Sequence, residues 1–159
     1  MAEKEKSYRG IGGWLIVPLA GLLVTPVRIF ASVYKDLLAI FPEGYWDVIA
    51  NPGHEMYHPL WAPLIVIELV GNSLFILFAL ALLVFFFNRS RLFPKLMIAF
   101  LIINLLFVVA DFVLAHLIPA IAKQHDPAAV KELTLAVLSA SVWVPYFWVS
   151  KRVRQTFQN

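Results

Sequence analysis

The chain has 159 residues, of which 61% are hydrophobic and only 14% charged, with a mean hydropathy of +0.79. A soluble domain carries about 25% charged residues; a water-facing surface made from this composition would be bare hydrocarbon and would aggregate, so lipid is the solvent it fits. The net charge of +3 and pI near 9.3 speak for orientation in a membrane rather than nucleic-acid binding, because the basic residues stand in short clusters beside apolar runs.

A helix needs about 20 residues to cross a bilayer core, and four apolar stretches reach that scale. Lys4, Lys6 and Arg9 precede the first, as in a signal peptide. The apolar run from 11 to 33 exceeds the core of about 7–15 residues that such peptides have, and no small-x-small cleavage site follows a short core. It reads as a helix that stays in the mature protein, spanning about 13–33, with Pro18, Pro26 and Arg28 inside it. Proline is tolerated in such helices where neighbours satisfy the freed carbonyl, and it usually kinks them. The outer loop 34–59 mixes apolar and acidic residues, which predicts short helices on the membrane surface.

The second span covers 60–87, with Glu68 its only charge; the third covers 96–118 and holds Asp111. Between them lies a short turn, and Pro94 suits the first turn of the third helix. Pro119 closes that helix. Asp126-Pro127 reads as an N-cap followed by proline at the first helical position. The fourth span, 133–149 with Pro145 near its end, is therefore predicted to start before the membrane and to continue into 151–154. The fold class is all-α: one transmembrane domain, residues 1–159, forming a four-helix polytopic bundle. Gly21, Gly71, Ala79, Ala81 and the 139–141 patch are small residues that let helices approach closely.

Orientation follows from the basic residues. Lys4, Lys6, Arg9, Arg89, Arg91, Lys95, Lys151, Arg152 and Arg154 fall on one side, against Lys35, Lys123 and Lys131 on the other. Both termini and the 88–95 loop are thus expected in the cytoplasm. Trp14, Tyr146 and Trp148 mark the inner interface and Trp61 the outer one.

Charges inside a span are costly and mark functional hypotheses. At a rise of 1.5 Å per residue, Glu68 lies about 12 Å and Asp111 about 10 Å below the outer surface, with Arg28 about 7 Å deep. Asn72 shares a helix face with Glu68, and Asn104 with Asp111; their depths are about 18 and 21 Å. Arg28, Glu68, Asn72, Asn104 and Asp111 are therefore expected to form one intramembrane polar network, an outer charged layer over an inner amide layer. Two carboxylates in low dielectric need Arg28 between them or a shared proton. The network reads either as a clasp that fixes helix register or as a proton or cation site beside a cavity. His116 is off the face of Asp111 and reads as an interface histidine.

His54-Glu55-Met56-Tyr57-His58 matches H-E-x-x-H, which on a helix aims two imidazoles at zinc with the glutamate as general base. Pro52-Gly53 before it and Pro59 after it oppose a helix, and Asp111, His116 and His125 offer no spacing signal for a third ligand. The match is judged coincidental, leaving a zinc hydrolase as a distant alternative. With no cysteine, no thiolate metal site exists, and no cofactor is implied. The tail residues Lys151, Arg152 and Arg154 read as a lipid-facing basic segment that binds anionic headgroups while Phe157 dips into the interface, or as a topology anchor only.

Gly12-Gly-Trp-Leu15 with Pro18, Glu68 with Asn72, Phe86-Phe87 followed by Phe93-Pro94, Asp111, and Trp143-Val-Pro-Tyr-Phe147 leading to Ser150-Lys-Arg-Val153 together resemble an uncharacterised bacterial membrane family catalogued as domain of unknown function 2569. The resemblance covers nearly the whole chain. It implies a four-helix inner-membrane protein without an assigned activity, in which Glu68, Asn72 and Asp111 belong to the family pattern and His54 and His58 do not. The expected function is a non-enzymatic membrane scaffold or accessory protein; the alternative is a small proton- or ion-coupled transporter or channel built on Glu68, Asp111 and Arg28. Expected partners are the lipid bilayer, including anionic lipids, and a second copy or another membrane protein; nucleic acid is not among them.

Overall fold

The apolar runs form long helices whose ends fall where the capping chemistry changes. The computed structural model describes residues 12–40, 44–55, 57–123 and 126–159. A 3-10 turn, Gly13–Leu15, leads into α1 (Ile16–Ile40), followed by α2 (Tyr45–Ala50), α3 (Trp61–Phe87), α4 (Phe93–His116), α5 (Pro119–Ala122), α6 (Pro127–Val149) and α7 (Lys151–Thr156). No strand occurs among the described residues. Helices α1, α3, α4 and α6 are long and apolar enough to cross a membrane. Lys4, Lys6, Arg9, Met56 and His125 lie outside the described residues.

Several boundaries depart from the sequence expectation. Helix α1 runs on to Ile40 instead of ending at 33, because no glycine or proline interrupts it after Pro26; Phe30 and Tyr34, one turn apart, stack at 6.5 Å. Within the outer loop, α2 is therefore the separate short helix, and the segment before it continues α1. Pro94 sits in the first turn of α4 as its chemistry dictates, so α4 begins at Phe93, three residues before the expected 96. At the start of α6 the Asp126 carboxylate accepts the Ala128 N–H at 2.8 Å. At its end the helix does not continue. Ser150 turns to an extended conformation (ψ 120°) and its hydroxyl accepts the Val153 N–H at 3.4 Å, so the basic segment forms a new helix, α7.

Helix α3 packs on α1, α4 on α3, and α6 on α4, whereas no comparable packing joins α1 to α6 among the described residues. The four helices form a strip rather than a closed ring. Gly71 lies against the Phe107 ring, where a Cβ would overlap it; this is the close α3–α4 approach that a missing side chain permits. Ala79 and Ala140 are buried. Gly21, expected to serve the same purpose, has no neighbour within 4 Å of its Cβ position and instead borders open space.

One end of the bundle is closed by aromatic packing. Leu15, Leu22, Phe86, Phe93, Phe147, Val153 and Phe157 belong to one buried cluster. Phe157 stacks near Phe93 at 4.6 Å and Phe86 at 5.5 Å. It thus lies in the core and not in the membrane interface, because α7 folds back over the α3–α4 turn. The chain end is tied to the same turn: Arg91 N–H donates to the Asn159 carbonyl at 2.9 Å and Asn159 N–H to the Arg89 carbonyl at 3.2 Å. Arg91 Nε also donates to the Gln158 carbonyl at 2.6 Å. The start of α1 joins this end, since Gly13, in the left-handed region at φ +57°, lies directly against the Arg152 guanidinium. This basic end carries Arg89, Arg91, Lys95, Lys151 and Arg154; the opposite end is called the far end below.

Candidate functional site

The strip arrangement leaves a cavity of about 690 Å³ where α1 and α6 fail to meet. All five residues of the predicted polar network line it: Arg28 from α1, Glu68 and Asn72 from α3, Asn104 and Asp111 from α4. Periodicity places them there. Asn104 and Asp111 are seven residues apart and Glu68 and Asn72 four apart, so each pair shares a helix face.

Depth sorts the lining into levels. Glu68 is seven residues into α3, Asp111 five from the end of α4, and Glu132 five into α6, so these carboxylates lie about 7–11 Å from the far helix ends. Asn72, Asn104 and Ser139 lie 11 or 12 residues in, about 16–18 Å. Helix α1 contributes Thr25, Arg28, Ser32 and Lys35 as a polar stripe along one face. Below these levels, toward the basic end, the wall becomes apolar: Val17, Leu22, Met97, Phe100, Leu101 and Trp143. The aromatic cluster then closes the bundle.

Five polar lining residues lie outside the expected network: Thr25, Ser32, Lys35, Glu132 and Ser139. Lys35 and Glu132 sit beyond the apolar windows, where a charge reads as a headgroup contact; their helices extend further than those windows and carry them onto the cavity wall. The spacing of Thr25, Arg28, Ser32 and Lys35 at three- and four-residue steps was the available signal. Lys35, five residues from the end of α1, lies at the level of the three carboxylates, whereas Arg28, twelve residues from that end, lies about 18 Å deep at the level of the asparagines.

The other candidates lie elsewhere. His54, Glu55, Tyr57 and His58 are not helical, and His58 Nδ1 accepts the Leu60 N–H at 3.3 Å. The segment therefore lacks the helical turn that two-histidine zinc ligation requires. Among the described residues no three His, Asp or Glu side chains come together to hold a metal. His116 Nδ1 bonds the Phe112 carbonyl at 2.7 Å. In the tail, Lys151 and Arg154 are exposed, with Arg154 donating to the Trp148 carbonyl at 3.4 Å. Arg152 departs from the expected lipid-facing group: it turns inward onto Gly13.

Fold and cavity together define a polytopic four-helix membrane protein with a charged pocket between its helices. The chain belongs to the family described as Protein of unknown function (DUF2569), which matches residues 8–158. It is 31% identical over 155 residues to the inner membrane protein YdgK of Escherichia coli strain K12, a similarity that covers 94% of each chain. No solved structure matches it.

Proposed function

We propose that the protein resides in a bacterial inner membrane with both termini and the α3–α4 turn in the cytoplasm, and that it acts as a small proton- or ion-coupled carrier whose cavity faces the other side. The observation that carries this reading is the convergence of Arg28, Glu68, Asp111 and both asparagines on one cavity. A register clasp needs only mutual contacts; it does not need a space of about 690 Å³ between the groups that clasp. Ionisable residues inside a membrane that border open space are the usual parts of ion and proton pathways. The sealed aromatic end supplies the barrier that a carrier needs on the opposite side. The basic residues gathered at that end support a cytoplasmic placement, as does similarity to an inner membrane protein.

Purified protein reconstituted in liposomes tests the reading through pH- or ion-gradient-driven flux. Wild type is expected to relax a proton or monovalent-cation gradient faster than empty vesicles, and Glu68→Gln to remove that difference while the protein stays folded. Wild-type flux no greater than that of empty vesicles would return the scaffold reading.

A further inference from the structure

The cavity has two chemistries, and their order along the membrane normal matters. Its far half carries both signs of charge, with Arg28 and Lys35 on α1 opposite Glu68, Asp111 and Glu132. Its deeper half is hydrocarbon and aromatic, and the pocket lies along the gap between α1 and α6, which do not pack on each other as their neighbours do. A wholly soluble ion would find no use for the apolar half. A fully apolar guest would match only the deeper half and make no use of the charges above it. The molecule that satisfies both has a head with one anionic and one cationic group and a hydrocarbon tail, and it arrives from the side, through the bilayer.

We propose that the α1–α6 cavity binds a zwitterionic phospholipid of the far leaflet, its phosphate against the α1 cations, its ammonium against the carboxylates, and part of a chain along the apolar wall. This rests on the cavity reading above and names the class of molecule the cavity takes. The volume fits: ligand pockets run from about 300 to 1,000 Å³, and this one is about 690 Å³. The depth fits too: the three carboxylates and Lys35 lie about 7–11 Å from the far helix ends, within reach of a headgroup that sinks slightly from the interface, and Arg28 lies deeper, about 18 Å from the end of α1.

Native mass spectrometry of the full chain, released from detergent after incubation with phosphatidylethanolamine or phosphatidylglycerol of identical chains, reads the binding. The zwitterionic lipid should be retained about tenfold over the anionic one, and Arg28→Gln or Glu132→Gln should each cut that retention about tenfold, the scale of a charge-assisted hydrogen bond. Lys151→Gln, at the opposite end, should leave it unchanged. A second measurement uses only wild type: phosphatidylethanolamine carrying a photoreactive group on its chain should label α1 and α6 on their cavity faces. Equal retention of the two lipids would overturn the proposal. So would label spread evenly over all four helices, displacement by soluble phosphoethanolamine alone, or chain-to-chain cross-links at the α1–α6 seam, which would put a second copy there. Lipid retention is scored independently of gradient flux: flux without selective retention sinks the lipid and spares the carrier, and retention without flux does the reverse.

Discussion

The basic end and the far half of this bundle solve opposite problems with the same four helices. At the basic end, Phe86, Phe93, Phe147 and Phe157 interlock, and backbone hydrogen bonds from the chain end seal the α3–α4 turn. In the far half, α1 and α6 part, and five charged side chains border the space between them. Aromatic pairs contribute packing energy at little cost in desolvation; charges beneath a membrane surface cost energy wherever they are not compensated. The difference teaches where stability and function reside. The closed end holds the protein together, while the open half keeps groups that stability alone would have discarded.

Three substitutions can break or sharpen this contrast. The largest effect is expected for Phe157→Ala, which removes a ring only 4% exposed from between Phe86 and Phe93. A loss of about 3 kcal/mol is expected from the cavity and the lost contacts, read as a lowered unfolding midpoint in detergent; an unchanged midpoint would mean that the closed end does not carry the fold. Gly71→Ala should cost about 1–3 kcal/mol, because the added methyl must displace the Phe107 ring. Phe107 also lines the cavity, so the same variant should alter lipid retention, tying the two regions together. The smallest expected shift belongs to Asp111→Asn. Exchanging this half-buried, cavity-lining carboxylate for a neutral amide should leave stability level or raise it by about 1 kcal/mol or less, while gradient flux falls. A clear loss of stability instead would assign Asp111 to a clasp.

The helices, the Asp126 cap and the convergence of Arg28, Glu68, Asn72, Asn104 and Asp111 were legible in the sequence, because a polar residue within an apolar run stands out and helical spacing sets its face. Lys35 and Glu132 were not: charges near a helix end are equally at home among headgroups, so hydropathy cannot assign them to the interior. The α1–α6 gap was hidden for a related reason. A leucine facing lipid and a leucine facing another helix meet similar surroundings, so the apolar pattern does not tell which helices touch. Phe157 was misplaced because both the interface and a core welcome an aromatic ring; only the turn at Ser150 decides between them.

The strip arrangement bears on how the molecule is made. Each long helix packs against the one that left the ribosome just before it: α3 against α1, α4 against α3, α6 against α4. Insertion into the bilayer can then proceed one hairpin at a time, with every new segment finding its partner already waiting, and local contacts of this kind favour rapid assembly. The meeting of Gly13 with Arg152, like those of Phe157 with Phe86 and Phe93, joins segments far apart in the chain and can form only once the final segment has been made.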